Sequence, residues 1–218
     1  MTEPGDRRPL ASRNTGFAQR GAALLVQRRI GPNAISVFGM VAGLAAGAAL
    51  AATACWPEWQ RPLWLLAAVF VQLRLLCNMY DGMVAIASGR TSAVGELYNE
   101  APDRVSDSAT LIGLGYAIGG EAWFGYAAAL LAMFTAYVRA LGKGAGAGSE
   151  FCGPMAKPQR MFVVTMVALY LGLAPTAWQP YVGAMGLPAL SLLLIAAGSA
   201  ITAWRRLQRI ARRLREAR

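Results

Sequence analysis

Long uncharged stretches alternate with short polar stretches along most of the chain. Residues 30–57 carry no charged side chain, and neither do residues 161–204. A transmembrane helix needs about 20 consecutive apolar residues, so stretches of this length predict membrane spans. The pattern predicts an all-α fold with six transmembrane helices, at residues 34–55, 62–87, 93–119, 121–141, 160–177 and 186–204.

Both ends of the chain are polar and basic. Residues 1–14 predict a disordered tail, and residues 15–29 predict either a short amphipathic helix on the membrane surface or a solvated lead-in to the first span. Residues 15–204 are predicted to form one membrane domain, and residues 205–218 a basic helix lying against anionic headgroups. The amino-terminal residues lack the apolar core of a signal peptide.

The net charge of +10 is concentrated at the two ends, with six arginines in residues 1–33 and seven in residues 204–218. With six spans, both termini and the loops after the second and fourth spans lie on one side, which the positive-inside rule makes cytoplasmic. We therefore expect a multi-pass protein of the inner membrane with both termini in the cytoplasm. A nucleic-acid partner is not expected of such a protein. The chain has no histidine, which excludes imidazole as a base or a metal ligand.

Four polar residues lie at matching depths on either side of a predicted tight turn at residues 89–92. Asn78 and Asp81 precede the turn, and Asn99 and Asp103 follow it. In a helical hairpin Asn78 then faces Asp103 and Asp81 faces Asn99, about 10–16 Å from the tip. Ionisable groups at such depth cost about 2.5–3.5 kcal/mol each and usually mark function.

The third span carries several acids on a single face. The residues that share this face, within about 100° of each other, are Glu96, Asn99, Glu100, Asp103 and Asp107. Like charges on one face repel, and a divalent cation with hard oxygen ligands, Mg²⁺ or Mn²⁺, would relieve the repulsion. The alternative is a structural polar cluster that is paired with Arg74 and Arg104.

The residues of this hairpin resemble the signature of the CDP-alcohol phosphotransferases, D-x2-D-G-x2-A-R-x8-G-x3-D-x3-D. Here the stretch is Asn78-x2-Asp81-Gly82-x2-Ala85-Ile86-x8-Gly95-x3-Asn99-x3-Asp103, with every interval kept. The first and third aspartates of the signature are Asn78 and Asn99 in this chain, and its arginine is Ile86. The sequence thus resembles a divergent branch of that family, and the resemblance covers most of the chain from about residue 30.

The resemblance implies a site and a role for each of its residues. In the family, the first three acids chiefly hold two divalent cations that bridge the pyrophosphate of the donor, and the fourth acts as general base. Carried over, Asp103 is the expected base, and the expected ligands of Mg²⁺ or Mn²⁺ are Asn78, Asp81, Asn99 and Asp103, with Glu100 and Asp107 as possible additions. The expected nucleotide-binding residues are Gly82, Ala85 and Gly95, whose small size lets a ligand approach the helices. The expected acceptor- or phosphate-binding residues are Arg139, Lys157 and Arg160, unless these are ordinary cytoplasmic charges.

The implied reaction is the transfer of a phosphatidyl group from CDP-diacylglycerol to an alcohol acceptor, with release of CMP, in phospholipid biosynthesis. The same signature also serves enzymes that transfer a CDP-linked head group to diacylglycerol. The resemblance further implies a homodimer in the lipid bilayer.

The rival interpretation is a catalytically impaired member that binds the lipid nucleotide or serves as a scaffold, motivated by the two asparagines and Ile86. A small transporter would require an internal repeat, which we do not find in the sequence.

Overall fold

Helices make up most of the computed structural model, which describes residues 15–89 and 94–216. The seven α-helices of the described residues are α1 Gly16–Gln27, α2 Pro32–Cys55, α3 Gln60–Ala87, α4 Gly95–Gly115, α5 Ala122–Gly144, α6 Lys157–Leu173 and α7 Leu187–Glu216. Two strands of two residues each, β1 (Tyr181–Val182) and β2 (Met185–Gly186), precede α7. They pair antiparallel, with Tyr181 opposite Gly186 and Val182 opposite Met185. The predicted all-α class is therefore confirmed.

Four helices of the described residues are long and apolar enough to cross a membrane: Pro32–Cys55, Pro57–Ala87, Ala122–Gly144 and Leu187–Glu216. The protein is thus a multi-pass membrane protein. The predicted third and fifth spans correspond to α4 and α6, which do not meet the same criterion. The amino-terminal half of α4 carries several charged residues, and α6 has only 17 residues. The number of six spans therefore stays a prediction.

Helices α2 and α4 approach so closely that their backbones touch. A methyl group added at Gly113 would collide with the backbone of Gly47, and one added at Gly43 would collide with Ser106. Thr110 Oγ1 donates to the carbonyl of Gly43 at 3.3 Å, which ties the same two helices. Small residues at such contacts let membrane helices pack by van der Waals attraction, because lipid provides no hydrophobic driving force between them.

The remaining helices complete one core. α3 packs against both α2 and α6, and α5 packs against α4 and α7. Large side chains with no exposed surface, among them Leu50, Trp64, Leu111 and Ile195, fill the space between the helices. The polar ends of α3 and α4 are thereby held beside the start of α6.

The two ends of the described chain differ in how they relate to this bundle. α1 is amphipathic: Ala18 and Ala22 are buried, whereas Phe17 is 76% exposed. Residues 205–216, which belong to the predicted basic helix of residues 205–218, are helical and continue α7 without a break. The location of both segments on a membrane surface stays a prediction. The predicted tail of residues 1–14 lies outside the described residues.

Candidate active site

Three helices bring Asn78, Asp103 and Lys157 into mutual contact. Asn78 Nδ2, on α3, donates to Asp103 Oδ1, on α4, at 3.0 Å. Lys157, the first residue of α6, donates from Nζ to Asp103 Oδ2 at 2.5 Å and also to Asn78 Oδ1. The contact between Asn78 and Asp103 agrees with the equal depth expected from the hairpin. Lys157, which also contacts this pair, lies 54 positions after Asp103 in the sequence.

Asp81 lies one turn after Asn78 on α3, and it is buried. Ser36 of α2 donates from Oγ to Asp81 Oδ2 at 2.8 Å, and the backbone N–H of Gly82 donates to Oδ1 at 2.5 Å. The hydrogen bonds described for Asp81 thus come from neutral groups. Ser36 was not among the predicted site residues; the available signal was a hydroxyl group within an otherwise apolar span, one turn after Pro32.

Arg74 lies one turn before Asn78 and is almost completely buried, with 1% of its side chain exposed. Its Nη2 atom lies 2.5 Å from Asp107 Oδ1 and 3.3 Å from Asp103 Oδ1, and its Nε donates to Ser106 Oγ at 2.8 Å. The guanidinium group therefore joins two successive acids of α4 and orients both carboxylates.

Each of the three acids along the described face of α4 also has a basic partner from α5 or α6. Glu100 pairs with Arg139, Asp103 pairs with Lys157, and Asp107 lies 3.8 Å from Arg160 Nη2. The three cations predicted to bind acceptor or phosphate are thus brought to the same face as the predicted metal ligands. Their charge offsets the repulsion between the acids without any ion, in addition to the pairing with Arg74 and Arg104 that the sequence left open.

The two acids predicted as additional metal ligands are directed toward arginines. Glu100 Oε2 lies 3.1 Å from Arg104 Nη2, and its other oxygen contacts Arg139. Asp107 is 2% exposed and lies between Arg74 and Arg160. Both would have to leave these ion pairs to bind a metal, so their role as ligands stays a prediction.

The remaining predicted residues surround the open end of the hairpin. Asn99 is exposed on α4, one turn before Asp103. Gly82 and Ala85 lie in the last two turns of α3, Gly95 begins α4, and all three are half-buried. Residues 90–92 of the turn predicted at residues 89–92 lie outside the described residues, as does the side chain of Glu96.

The donor chemistry of this hairpin suits a divalent cation bound partly by a substrate. Asp81 and Asp103 offer carboxylates, and Asn78 and Asn99 offer amide oxygens, which are the hard donors that Mg²⁺ and Mn²⁺ prefer. Within residues 15–89 and 94–216, no group of three or more His, Cys, Asp or Glu residues is placed to hold a metal. Mg²⁺ commonly takes one or two carboxylates from a protein and its other ligands from phosphate and water. The residues therefore fit a cation of this kind.

The family model described as CDP-alcohol phosphatidyltransferase matches residues 29–204. The chain belongs to the CDP-alcohol phosphatidyltransferase family. The match includes the hairpin of α3 and α4 and all of the basic residues that face it. The resemblance first noted in the spacing of the signature is thereby confirmed, and with it the enzyme class: a transferase of membrane phospholipid biosynthesis.

Two curated relatives of this CDP-alcohol phosphatidyltransferase are named phosphatidylinositol phosphate synthase. The protein from Streptomyces avermitilis is 26% identical over 208 residues, covering 90% of this chain and 78% of the relative. The protein from Cutibacterium acnes is 28% identical over 200 residues, covering 88% of this chain and 90% of the relative.

Solved structures of the phosphatidylinositol phosphate synthase from Mycobacterium tuberculosis share the fold. One, in complex with manganese and citrate, has a TM-score of 0.70 at 21% identity and covers 88% of this chain and 87% of that one. Another, with CDP-DAG bound, has a TM-score of 0.67 at 23% identity and covers 88% of this chain and 92% of that one. At this identity the likeness establishes the fold of this CDP-alcohol phosphatidyltransferase.

Proposed function

We propose that this protein transfers the phosphatidyl group of CDP-diacylglycerol to a phosphorylated alcohol and releases CMP. The observation that carries the proposal is the convergence of Asn78, Asp103 and Lys157 at the hairpin whose spacing matches the family signature. The family supplies the reaction class. A solved structure of the related mycobacterial synthase has CDP-DAG bound, which favours the lipid-linked donor over a CDP-linked head group.

Asp103 is the proposed base. In the reaction the acceptor hydroxyl oxygen forms a bond to the phosphorus that carries diacylglycerol, and the bond from that phosphorus to the CMP oxygen breaks. CMP leaves with the bonding electron pair, and the hydroxyl proton passes to the Asp103 carboxylate. Contacts from Asn78, Arg74 and Lys157 fix the orientation of this carboxylate, which is the positioning that such a proton transfer needs.

The charge around the site favours an anionic acceptor. Arg139, Lys157 and Arg160 face the acids of α4, and charged nitrogen donors form strong hydrogen bonds to phosphate. The curated relatives are named as synthases of phosphatidylinositol phosphate. A phosphorylated polyol such as inositol phosphate is therefore the proposed acceptor class.

A bound Mg²⁺ or Mn²⁺ would neutralise the phosphoryl oxygens of the donor, and Asp81, Asp103, Asn78 and Asn99 are the proposed ligands. Support for manganese comes from the related mycobacterial structure and from the hard oxygen donors of the hairpin. Half-buried Gly82, Ala85 and Gly95 leave space for the cytidine beside this end of α3 and α4.

We propose the same topology for the membrane domain that the charge pattern predicts. α4 and α6 would complete six spans, both termini would lie in the cytoplasm, and the hairpin of α3 and α4 would open to the cytoplasmic face of the inner membrane. The arginines at both ends of the chain support this orientation. A homodimer, as in the family, completes the proposal.

The test is the release of CMP from CDP-diacylglycerol by purified full-length protein, with Mg²⁺ or Mn²⁺ and a panel of phosphorylated and unphosphorylated alcohols. We expect release that requires both the metal and a phosphorylated acceptor, and that is lost in Asp103→Asn. The same variant should still bind CDP-diacylglycerol, because it keeps the size of the side chain.

Binding of CDP-diacylglycerol without release of CMP for any acceptor would instead favour the impaired scaffold. Asn78 and Asn99 are the observation behind this second candidate, because they leave the signature with half of its carboxylates. Unchanged turnover in Asp103→Asn would refute the assignment of the base.

A further inference from the structure

The ammonium group of Lys157 lies between two oxygens that belong to predicted metal ligands. Its Nζ atom donates to Asp103 Oδ2 at 2.5 Å and to Asn78 Oδ1. Asn78 and Asp103 also bond to each other at 3.0 Å, so the three groups form a closed triangle. The protein's own cation therefore lies between two oxygens of residues that the family signature implies as metal ligands.

The charges of the hairpin also favour a lysine ammonium group, rather than a second divalent ion, beside Asp103. Asn78 and Asn99 leave the four ligand positions with two negative charges, on Asp81 and Asp103. Asp103 is ion-paired with Lys157, Arg74 and Arg104. The hydrogen bonds described for Asp81 come instead from the neutral groups of Ser36 and Gly82. A second divalent ion beside Asp103 would therefore meet three cationic side chains and no additional carboxylate, since Glu100 and Asp107 are directed toward arginines. These charges therefore favour the binding of a single divalent ion, with Asp81 as its carboxylate ligand.

We propose that Lys157 replaces one of the two cations that the family signature implies, so that the site binds a single divalent ion. This inference rests on the proposed function and concerns the same site. An ammonium group has three N–H donors, and two of them are directed to Asn78 and Asp103. The third supplies a hydrogen bond to a pyrophosphate oxygen of the donor, where a metal would have supplied a coordinate bond.

The number of bound manganese ions tests this proposal without reference to turnover. Electron paramagnetic resonance of full-length protein with CDP-diacylglycerol, titrated with Mn²⁺, measures the number of bound ions per chain. We expect one ion for the natural sequence. Asn78→Asp and Asn99→Asp combined with Lys157→Met restore the missing carboxylates and remove the ammonium, and we expect this triple variant to bind two.

The single variants separate the role of the charge from a structural role. Lys157→Met should weaken binding of CDP-diacylglycerol about tenfold, because one charged hydrogen bond is lost. Lys157→Arg keeps the charge and should bind CDP-diacylglycerol nearly as well as the natural protein. Lys143→Met removes the only other lysine of the sequence, in the last turn of α5, and is the matched control, with one ion and unchanged donor binding expected.

Two manganese ions, or none, bound to the natural protein would overturn the inference, and this result does not depend on whether any variant folds. Release of CMP is measured in the same samples. One ion without CMP release would reject the proposed function and leave the ion count standing. Two ions with CMP release would reject the role of Lys157 alone.

Discussion

Arg74 and Asp107 form an ion pair in the interior of the helix bundle, with Arg74 Nη2 2.5 Å from Asp107 Oδ1. Only 1% of the arginine side chain and 3% of the aspartate side chain are exposed. Arg74 also contacts Asp103, the proposed base, at 3.3 Å. The pair therefore links the stability of the bundle to the orientation of the site.

Replacement of Asp107 should destabilise the fold more than it affects metal binding. Removing one partner of a buried ion pair leaves the other charge uncompensated, at a cost of about 3–5 kcal/mol. We predict that Asp107→Asn lowers the midpoint of thermal unfolding in detergent while the number of bound Mn²⁺ ions stays the same. Glu216→Gln breaks an exposed pair with Arg212 and should leave the midpoint nearly unchanged. A loss of Mn²⁺ at full stability would identify Asp107 as a metal ligand instead.

The close contact of α2 and α4 predicts an unusual sensitivity at Gly113. A methyl group there would collide with the backbone of Gly47, which cannot move aside as a side chain can. We predict that Gly113→Ala destabilises the protein by about 1–3 kcal/mol, the usual cost of overpacking. Gly144→Ala adds the same methyl group to the last turn of α5, where nothing lies within 4 Å, and should be neutral or slightly stabilising. Equal stability of the two variants in urea titrations would contradict this account of the contact.

Replacement of Arg139 and replacement of Glu100 should change KM for the acceptor in opposite directions. Arg139 pairs with Glu100 in the structure, so the carboxylate competes with any anionic ligand for the guanidinium group. We predict that Arg139→Gln raises KM for a phosphorylated acceptor about tenfold with a smaller change in kcat, since one charged hydrogen bond is lost. Glu100→Gln should lower the same KM.

Arg61 offers the control for this pair, because it lies at the start of α3, at the opposite end of that helix from Asn78 and Asp81, and donates to the carbonyl of Ala174. Arg61→Gln should leave KM for the acceptor unchanged. If Arg139→Gln alters kcat and leaves KM unchanged, Arg139 does not bind the acceptor.

The three cysteines provide a test of the proposed topology. Cys55 ends α2 and is exposed, Cys77 is buried, and Cys152 lies in the loop between α5 and α6. We predict that a membrane-impermeant maleimide labels Cys55 in intact cells, and labels Cys152 only after the membrane is opened. Burial raises the pKa of the Cys152 thiol, so less of it is the reactive thiolate and its labelling should accelerate as the pH is raised. Cys55→Ser is the control, and labelling of Cys152 in intact cells would reverse the orientation.

Much of the site follows from intervals within one stretch of the chain. The distances from Asn78 to Asp81 and from Asn99 to Asp103 each equal about one helical turn, so the helix period alone places each pair on one face. The equal depth of Asn78 and Asp103 follows from the position of the turn between the helices. The family could be inferred for the same reason, because its signature is itself a set of local intervals.

The partners of these residues cannot be predicted from local intervals in the sequence. Ser36 reaches Asp81 from 45 residues earlier in the chain, and Lys157 reaches Asn78 from 79 residues later. Such contacts depend on how far each helix is rotated about its axis, and this rotation is fixed by packing such as the approach of Gly47 to Gly113. The pairing of Arg74 with Asp103 and Asp107 likewise depends on helix packing, because these residues lie on different helices.

Hydropathy and helical period act over neighbouring residues, so the order of amino acids suffices to predict an α-helical membrane protein with a polar hairpin of the CDP-alcohol phosphatidyltransferase pattern. Which charges compensate one another follows only from the packing of the helices. This packing matches Glu100, Asp103 and Asp107 with Arg139, Lys157 and Arg160, respectively. The physical reason is that electrostatic pairing depends on distance in space, and only the packing of α4 against α5 and α6 sets that distance.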